Sequence, residues 1–529
     1  MAPSMSNLGS PFGQAWPDRF NLCTYFLDHN VDEGRGEKTA LVCGERSHTY
    51  ASLQRRVIRL TAALRGLGLG AEDRVLIVLP DGLEFAETWF ATLRAGGVFA
   101  MVNPLLKAKD FNYYLEYTKA RVLVTDSSVL AEIGEAARSS RHLRGVLVVG
   151  SEAEDFTPYE GAIDAQSEEP GAGFVEPTGP DDLAGWLFTS GSTGEPKACV
   201  HMQRDFAFST ETFALQVAGY REDDVCLSVP KLFFGYATGT NLMFPFRVGA
   251  TAILFPERST PDALFDLIEK HHPTFLTSVP TLINNMLRSE RCDQADLSSL
   301  RVCLSAGEAL PASLYEQWME RTGVEILDGI GSAEMFHIYI SNRMGDVRAG
   351  SLGRLVSGYE ADILGPDGEV VAPGEPGRLR IRGGSTALCY WGDKAKSQET
   401  FQADACTTAD VFRVDEEGYF YYVGRGDDLL KVSGIWVSPL EIENALLIHP
   451  AVDEVCVIGK ADKDDLIKPQ AFVVLAEGHP GDEALAGHLK AHLKDHLAPY
   501  KYPRWFEWCS ELPKNDRGKV NRKLLKARS

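Results

Sequence analysis

The sequence predicts an α/β protein: two doubly wound, mostly parallel sheets and a β-rich subdomain, followed by a small α+β domain. Three observations support that class. Apolar runs of strand length alternate with helical spacings from about residue 70 onward, the texture turns rich in Gly and Pro near Gly350, and a compact α+β pattern follows Gly424-Arg-Gly-Asp427. Alternation of this kind implies parallel strands, because each crossover lays a helix on the sheet. A boundary is expected at 426/427, giving domains of residues 1–426 and 427–529, the second large enough at roughly 100 residues to hold a core of its own.

Each element follows from its local pattern. Arg74-Val-Leu-Ile-Val-Leu79 is a buried-strand run, and Phe85, Trp89 and Leu93 then recur at helical spacing. Val122–Thr125 and Gly145–Val149 are further strands of the first series. The second series is Val225–Val229, Thr251–Phe255, Thr274–Val279 and Arg301–Ser305, with helices expected over Pro261–His271 and Leu314–Thr322. Turns such as Gly365-Pro-Asp-Gly368 and Pro373-Gly-Glu-Pro-Gly377 mark the β-rich stretch. Beyond it come a helix from Pro439, strands around Val455 and Phe472, and a helix over Asp482–His496.

Composition narrows the function. The 529 residues carry 53 Lys+Arg against 74 Asp+Glu, a net charge of −21 that poorly suits non-specific nucleic acid or anionic lipid. No apolar run approaches the roughly 18–20 residues of a membrane span, and the first residues lack the pattern of a secretory signal. The 10 cysteines form no C-x-x-C pair, which disfavours a zinc site or disulfide framework and fits reduced thiols in a cytoplasmic protein.

The strongest chemical signal is Leu187-Phe-Thr-Ser-Gly-Ser-Thr-Gly-Glu-Pro-Lys197. Hydroxyls at Thr189, Ser190, Ser192 and Thr193 alternate with Gly191 and Gly194, and Lys197 closes the run. Glycines let backbone N–H groups crowd an anion, hydroxyls add donors and a lysine adds charge, so this is a phosphate-binding composition. The spacing departs from the Walker A loop, since Pro196 stands where that pattern needs Gly. Gly66-Leu-Gly-Leu-Gly-Ala71 follows a helix and precedes a strand, the reverse of a dinucleotide fingerprint, and reads as a helix-ending turn. Gly383-Gly-Ser-Thr-Ala387 lacks the last glycine of a nucleophile elbow, which disfavours a serine hydrolase.

The loop resembles the phosphate-binding loop of the adenylate-forming superfamily, which holds acyl- and aryl-CoA ligases, luciferases and peptide-synthetase adenylation domains. Other segments resemble that family's motifs in order: Gly329-Ile-Gly-Ser-Ala-Glu334, Thr408-Ala-Asp410, Gly424-Arg425, Asp427-Asp-Leu-Leu-Lys-Val-Ser-Gly434 and Pro513-Lys-Asn-Asp-Arg-Gly-Lys519. The resemblance implies ATP, Mg²⁺ and coenzyme A. It places the nucleotide against Thr189 to Gly194, Lys197, Gly307, Glu308, Ala309, Asp328, Gly329, Ile330, Gly331, Ser332, Asp410 and Arg425, and the metal on Glu334 with Thr193. Oxygen donors suit the hard Mg²⁺ ion. Lys519 is the implied catalytic lysine, with Arg517 where the family more often has Ser or Thr. The C-terminal domain becomes a mobile lid turning about Asp427, with Lys431 and Gly434 along the thiol tunnel.

Lys231-Leu-Phe-Phe-Gly-Tyr-Ala-Thr-Gly239 and Glu334-Met-Phe-His337 resemble the benzoate–CoA ligase branch. There Phe234, Tyr236, Ala306, Ile330, Gly331 and His337 would line a pocket for a small aromatic carboxylic acid. Benzoate or a substituted benzoate is expected, with 2-aminobenzoate (anthranilate) a candidate through a hydrogen bond to His337. Loading of a carrier protein's phosphopantetheine in place of coenzyme A is the nearest alternative, and a non-catalytic nucleotide sensor is one of another class. The oligomeric expectation is a monomer or homodimer, without nucleic-acid or membrane partners.

Overall fold

The computed structural model describes residues 15–150, 153, 155–166, 174–190, 195–432, 435–463, 466–494, 496–514 and 520–528. Two compact units emerge, Met1–Ala361 with Ile381–Thr407, and Asp362–Arg380 with Thr408–Ser529.

The first unit holds both expected sheets. In one, eight strands run in the order Cys389–Tyr390, Pro196–Met202, Leu183–Ser190, Val98–Met101, Arg74–Val78, Val122–Asp126, Gly145–Val149 and Thr157–Pro158. Its centre is parallel, with Ile77 opposite both Met101 and Val124. Phe85, Trp89 and Leu93 are fully buried on the helix Leu83–Arg94, as their spacing predicts. The other sheet has nine strands. From Ile326–Gly331 it runs through Val302–Ser305, Phe275–Ser278, Val225–Ser228 and Thr251–Leu254 to Thr39–Cys43, all joined in parallel. Helices Pro261–His271 and Ala312–Thr322 accompany it, the first capped by the Thr260 side chain.

Two features were not legible in the pattern. Leu183–Ser190 and Pro196–Met202 form an antiparallel hairpin where the sequence reads as a loop alone. Three stretches, Thr24–Asp28, Thr210–Ala218 and Gly239–Met243, are wound as π-helix, a widening often found beside functional sites.

The second unit is built on Val452–Ala461, antiparallel to Ile467–Leu475, which in turn runs parallel to Trp505–Cys509. Ile442 and Leu446 of the helix Pro439–Leu447 and Leu489 and Leu493 of Glu483–Lys494 bury against Val457 and Ala471. Arg522 Nη2 donates to Glu443 Oε2 at 2.8 Å and Lys526 Nζ to Asp428 Oδ1 at 3.1 Å, which fastens the last helix, Arg522–Arg528. The units divide the chain elsewhere than the expected 426/427 boundary. Residues 408–426 go with the C-terminal unit because Asp410 pairs with Arg425 across a hairpin and Ser438 Oγ donates to the carbonyl of Val423. Residues 362–380 go with it too: Gly374 N donates to Val414 O at 2.7 Å.

Candidate active site

The site of the first unit grows from the ends of four strands. On the hairpin, Thr189 lies opposite Lys197 and Ser190 opposite Pro196. Gly191, Ser192, Thr193 and Gly194 lie outside the described residues, as does the Ser190 side chain. Lys197 Nζ donates to Asp393 Oδ2 at 2.7 Å and sits 5.8 Å from the centre of the Tyr390 ring. Tyr390 OH donates to Glu334 Oε1 at 2.8 Å. Burial, reinforced by that carboxylate, holds the Tyr390 phenol far above its ordinary titration range. The Lys197 ammonium holds the Asp393 carboxyl below the usual carboxylate range. One tyrosine therefore separates the loop lysine from Glu334 and touches both.

The backbone around Glu334 is fixed carbonyl by carbonyl. His201 Nε2 lies 2.7 Å from Ala333 O, Ala387 N donates to Glu334 O at 2.8 Å, and Ser385 Oγ donates to Met335 O at 2.8 Å. Facing a carbonyl, Nε2 of His201 must carry its proton. The other ring nitrogen is 3.0 Å from Asp205 Oδ2, and both side chains are fully buried. Ser385, which the sequence offered as a failed nucleophile elbow, thus braces this segment.

The next residue turns the chain sharply. Phe336 has φ 63 and ψ −58, and His337 N donates to Met335 O at 2.8 Å, which closes a γ-turn of the rare positive-φ kind. A bulky residue held there costs on the order of 1–3 kcal/mol, and such strain collects at functional sites. The turn delivers His337 into a nest of rings: Phe244 at 4.7 Å, Phe213 and Phe336 at 5.4 Å, and Tyr236 at 5.6 Å between centroids. Gly239 makes the seat possible, since a Cβ there would stand 2.5 Å from the imidazole. His337 Nε2 lies 3.2 Å from the Tyr236 carbonyl and so must donate. Its Nδ1 is then a bare acceptor, buried without a partner among the described residues. Burial depresses the imidazole to about 3, so the ring is neutral at physiological pH.

Further unpartnered polar atoms gather here: Tyr236 OH, Asp328 Oδ1 and Ser332 Oγ are buried with no hydrogen-bond partner among the described residues. Burial pushes the Asp328 carboxyl up to about 8, so it is protonated at neutral pH. Leaving such an atom unbonded costs about 1–3 kcal/mol, so each of these groups gains from bonding a ligand. Ala306 is buried at the end of Val302–Ser305, and Ile330 and Gly331 end the neighbouring strand. Gly331 has a structural reason beyond any ligand, because a Cβ would lie 2.5 Å from His337 O across the strand pair. Gly329 has the same one, 2.7 Å from Ile340 O. Phe234 is half-buried against Phe233 at 4.5 Å.

Gly307, Glu308 and Ala309 follow the parallel strand Val302–Ser305, on the edge where open α/β sheets take ligands. The Glu308 carboxylate, however, accepts from Thr281 N at 3.0 Å and Thr281 Oγ1 at 2.7 Å, so it caps the helix Pro280–Arg288.

In the second unit, Tyr422 OH donates to Asp410 Oδ1 at 3.3 Å, and Arg425, opposite Asp410, is exposed. Lys431 is exposed on the strand Leu430–Val432, and Asp427 lies in the short turn Gly426–Asp428. The Asp427 side chain, Gly434 and Lys519 lie outside the described residues. Sequence reasoning missed His201, Tyr390 and Asp393, whose roles appear only when distant segments meet.

This sheet edge, with its unpartnered acceptors and braced glutamate, has the features of a nucleotide-dependent enzyme. The profile of the AMP-binding enzyme family matches residues 27–391, and that of the AMP-binding enzyme C-terminal domain matches residues 441–519. The chain belongs to the AMP-binding enzyme family, in its benzoate–CoA ligase-like branch. It is 43% identical over 513 residues to the benzoate–CoA ligase of Thauera aromatica, covering 97% of this chain and 96% of that one. The crystal structure of the anthranilate CoA ligase AuaEII in complex with anthranoyl-AMP superposes with a TM-score of 0.92 at 37% identity, covering 97% of this chain and 98% of that one. A benzoate CoA ligase from Burkholderia xenovorans gives 0.87 at 39%, covering 96% and 99%. Aryl-CoA ligases of this branch are AMP-forming acid–thiol ligases that use ATP, Mg²⁺ and coenzyme A.

Among the described residues no helix is long and apolar enough to cross a membrane, and no group of three His, Cys, Asp or Glu side chains could hold a metal ion.

Proposed function

We propose that this protein is an ATP-dependent aryl-CoA ligase that activates benzoate or a small substituted benzoate, with 2-aminobenzoate the leading substituted candidate. The observation carrying the ring assignment is the buried, unpartnered Nδ1 of His337 within a wall of aromatic rings that includes Tyr236, whose hydroxyl is likewise unpartnered. A neutral acceptor in such a wall accommodates a flat apolar ring and gains a hydrogen bond from an N–H or O–H substituent on it. The names of the similar enzymes, benzoate and anthranilate ligases, agree with that chemistry.

In the first half-reaction the acid's carboxylate attacks the α-phosphorus of ATP and pyrophosphate leaves, giving an acyl-adenylate. In the second the coenzyme A thiol attacks the acyl carbon and AMP leaves. Residues 189–194 and Lys197 would hold the phosphates, while Asp410 and Arg425 would grip the ribose. Glu334, oriented by Tyr390, would hold Mg²⁺ with Thr193; the ion supplies charge neutralisation on the phosphates. Lys519 would meet the charge developing between carboxylate and α-phosphate, a contribution that depends on preorganised position. The C-terminal lid would then turn about Asp427 to withdraw it and admit the thiol past Lys431 and Gly434.

The test is thioester formation by wild type and His337→Phe with benzoate, 2-aminobenzoate, 2-hydroxybenzoate and hexanoate. Wild type should use the aromatic acids far better than hexanoate. The variant should keep benzoate within a few-fold but lose about ten-fold in kcat/KM for 2-aminobenzoate relative to benzoate, the worth of one buried hydrogen bond. Preference for hexanoate would overturn the aryl reading, and an unchanged ratio would overturn the role of His337.

A further inference from the structure

The Lys197–Asp393 contact stands outside everything the motifs assign. Lys197 Nζ is 2.7 Å from Asp393 Oδ2 and its side chain is only 16% exposed, so in this structure the ammonium is already paired. Asp393 is not placed there by accident of a surface rotamer. Its other oxygen accepts from Lys396 N at 3.0 Å, which makes it the N-cap of the helix Lys394–Thr400. The preceding strand fixes the same corner: Tyr390 pairs with Cys199 on the hairpin strand that carries Lys197, and its ring lies beside the ammonium. A carboxylate so anchored cannot follow the lysine when a phosphate draws it away.

We propose that Asp393 competes with phosphate for Lys197 and offsets its charge, keeping the enzyme's grip on triphosphate and pyrophosphate weak enough for turnover. The proposal rests on the reading of Lys197 as a phosphate contact. Two effects have the same sign: the carboxylate competes with phosphate for the ammonium, and it repels phosphate directly. Removing the charge should therefore tighten phosphate binding. A partly exposed pair is worth little in such terms, so the change is about two- to five-fold.

The cap supplies a clean variant, because Asn and Ser cap helices about as well as Asp but carry no charge. In the full-length protein, Asp393→Asn and Asp393→Ser should each lower the dissociation constant of ATP (with magnesium) and the inhibition constant of pyrophosphate by about two- to five-fold at low ionic strength. KM for the aromatic acid should stay unchanged, and the melting temperature should stay near that of wild type. In a Lys197→Met background the Asp393 change should have a smaller effect, because the competition is gone. Unchanged or weaker ATP and pyrophosphate binding in a folded Asp393 variant would overturn the proposal. Lys197→Met alone separates the underlying reading: if it leaves ATP and pyrophosphate affinity untouched, the phosphate role of Lys197 has failed, whereas if it weakens them while Asp393→Asn changes nothing, only the inference about Asp393 has failed. Should Asp393→Asn not fold, Asp393→Ser carries the same test.

Discussion

A bare acceptor buried among aromatic rings is costly unless a ligand arrives to bond it, and His337 is such an acceptor. At this scale motifs named Glu334, Tyr236, His337 and Lys197: His337 packs against Tyr236 beyond the end of Ile326–Gly331, and Lys197, on the hairpin of the other sheet, is linked to Glu334 through Tyr390. The sequence was silent on Tyr390 and Asp393, because a tyrosine 56 positions from its glutamate carries no local signal. It was silent too on the Glu308 side chain, which caps a helix. The neutral state of His337 has a consequence for stability. Its folded value of about 3 lies below the ordinary 6.5, so on acidification the unfolded chain takes up a proton that the native site refuses. That contribution is fully present above about pH 6.5 and is lost as pH falls toward 3. Urea unfolding from pH 8 to 4.5 should show His337→Phe losing less stability on acidification than wild type; identical slopes would refute the assignment.

Among the elements, alternation in the sequence revealed the parallel strands within a residue or so at either end, as with Arg74–Val78 and Val225–Ser228. Parallel strands buried on both faces are short apolar runs, which is why they stand out. The hairpin and the γ-turn did not, because neither has a hydrophobic period: one is fixed by pairing across the loop and the other by contacts made from outside. Phe336 tolerates φ 63 since its ring packs on Phe206 at 4.5 Å, while Ser385 and Ala387 hold the carbonyls before it. Glycine would accept the angle without strain but surrender the packing. Phe336→Gly should thus lower stability by about 2–4 kcal/mol, the loss of a buried ring less the strain relieved. It should also raise KM for the aromatic acid more than it lowers kcat, as His337 loses its aim. An unchanged KM would show that the turn does not set the pocket.

For the whole molecule, the two family profiles match residues 27–391 and 441–519. The compact units place residues 362–380 and 408–426 with the C-terminal part, a grouping no composition shift could reveal because it depends on strand pairing. The central claim is that a carboxylic acid is activated by attack on the nucleotide's α-phosphorus, with Lys519 serving that half-reaction alone. The most direct measurement is benzoate-dependent ATP–pyrophosphate exchange by wild type and Lys519→Ala, alongside thioester formation from supplied benzoyl-adenylate and coenzyme A. Wild type should catalyse both, and the variant should lose exchange by several orders of magnitude while still forming the thioester. Absence of exchange in wild type with every aromatic acid offered, or equal loss of both half-reactions in the variant, would contradict the account.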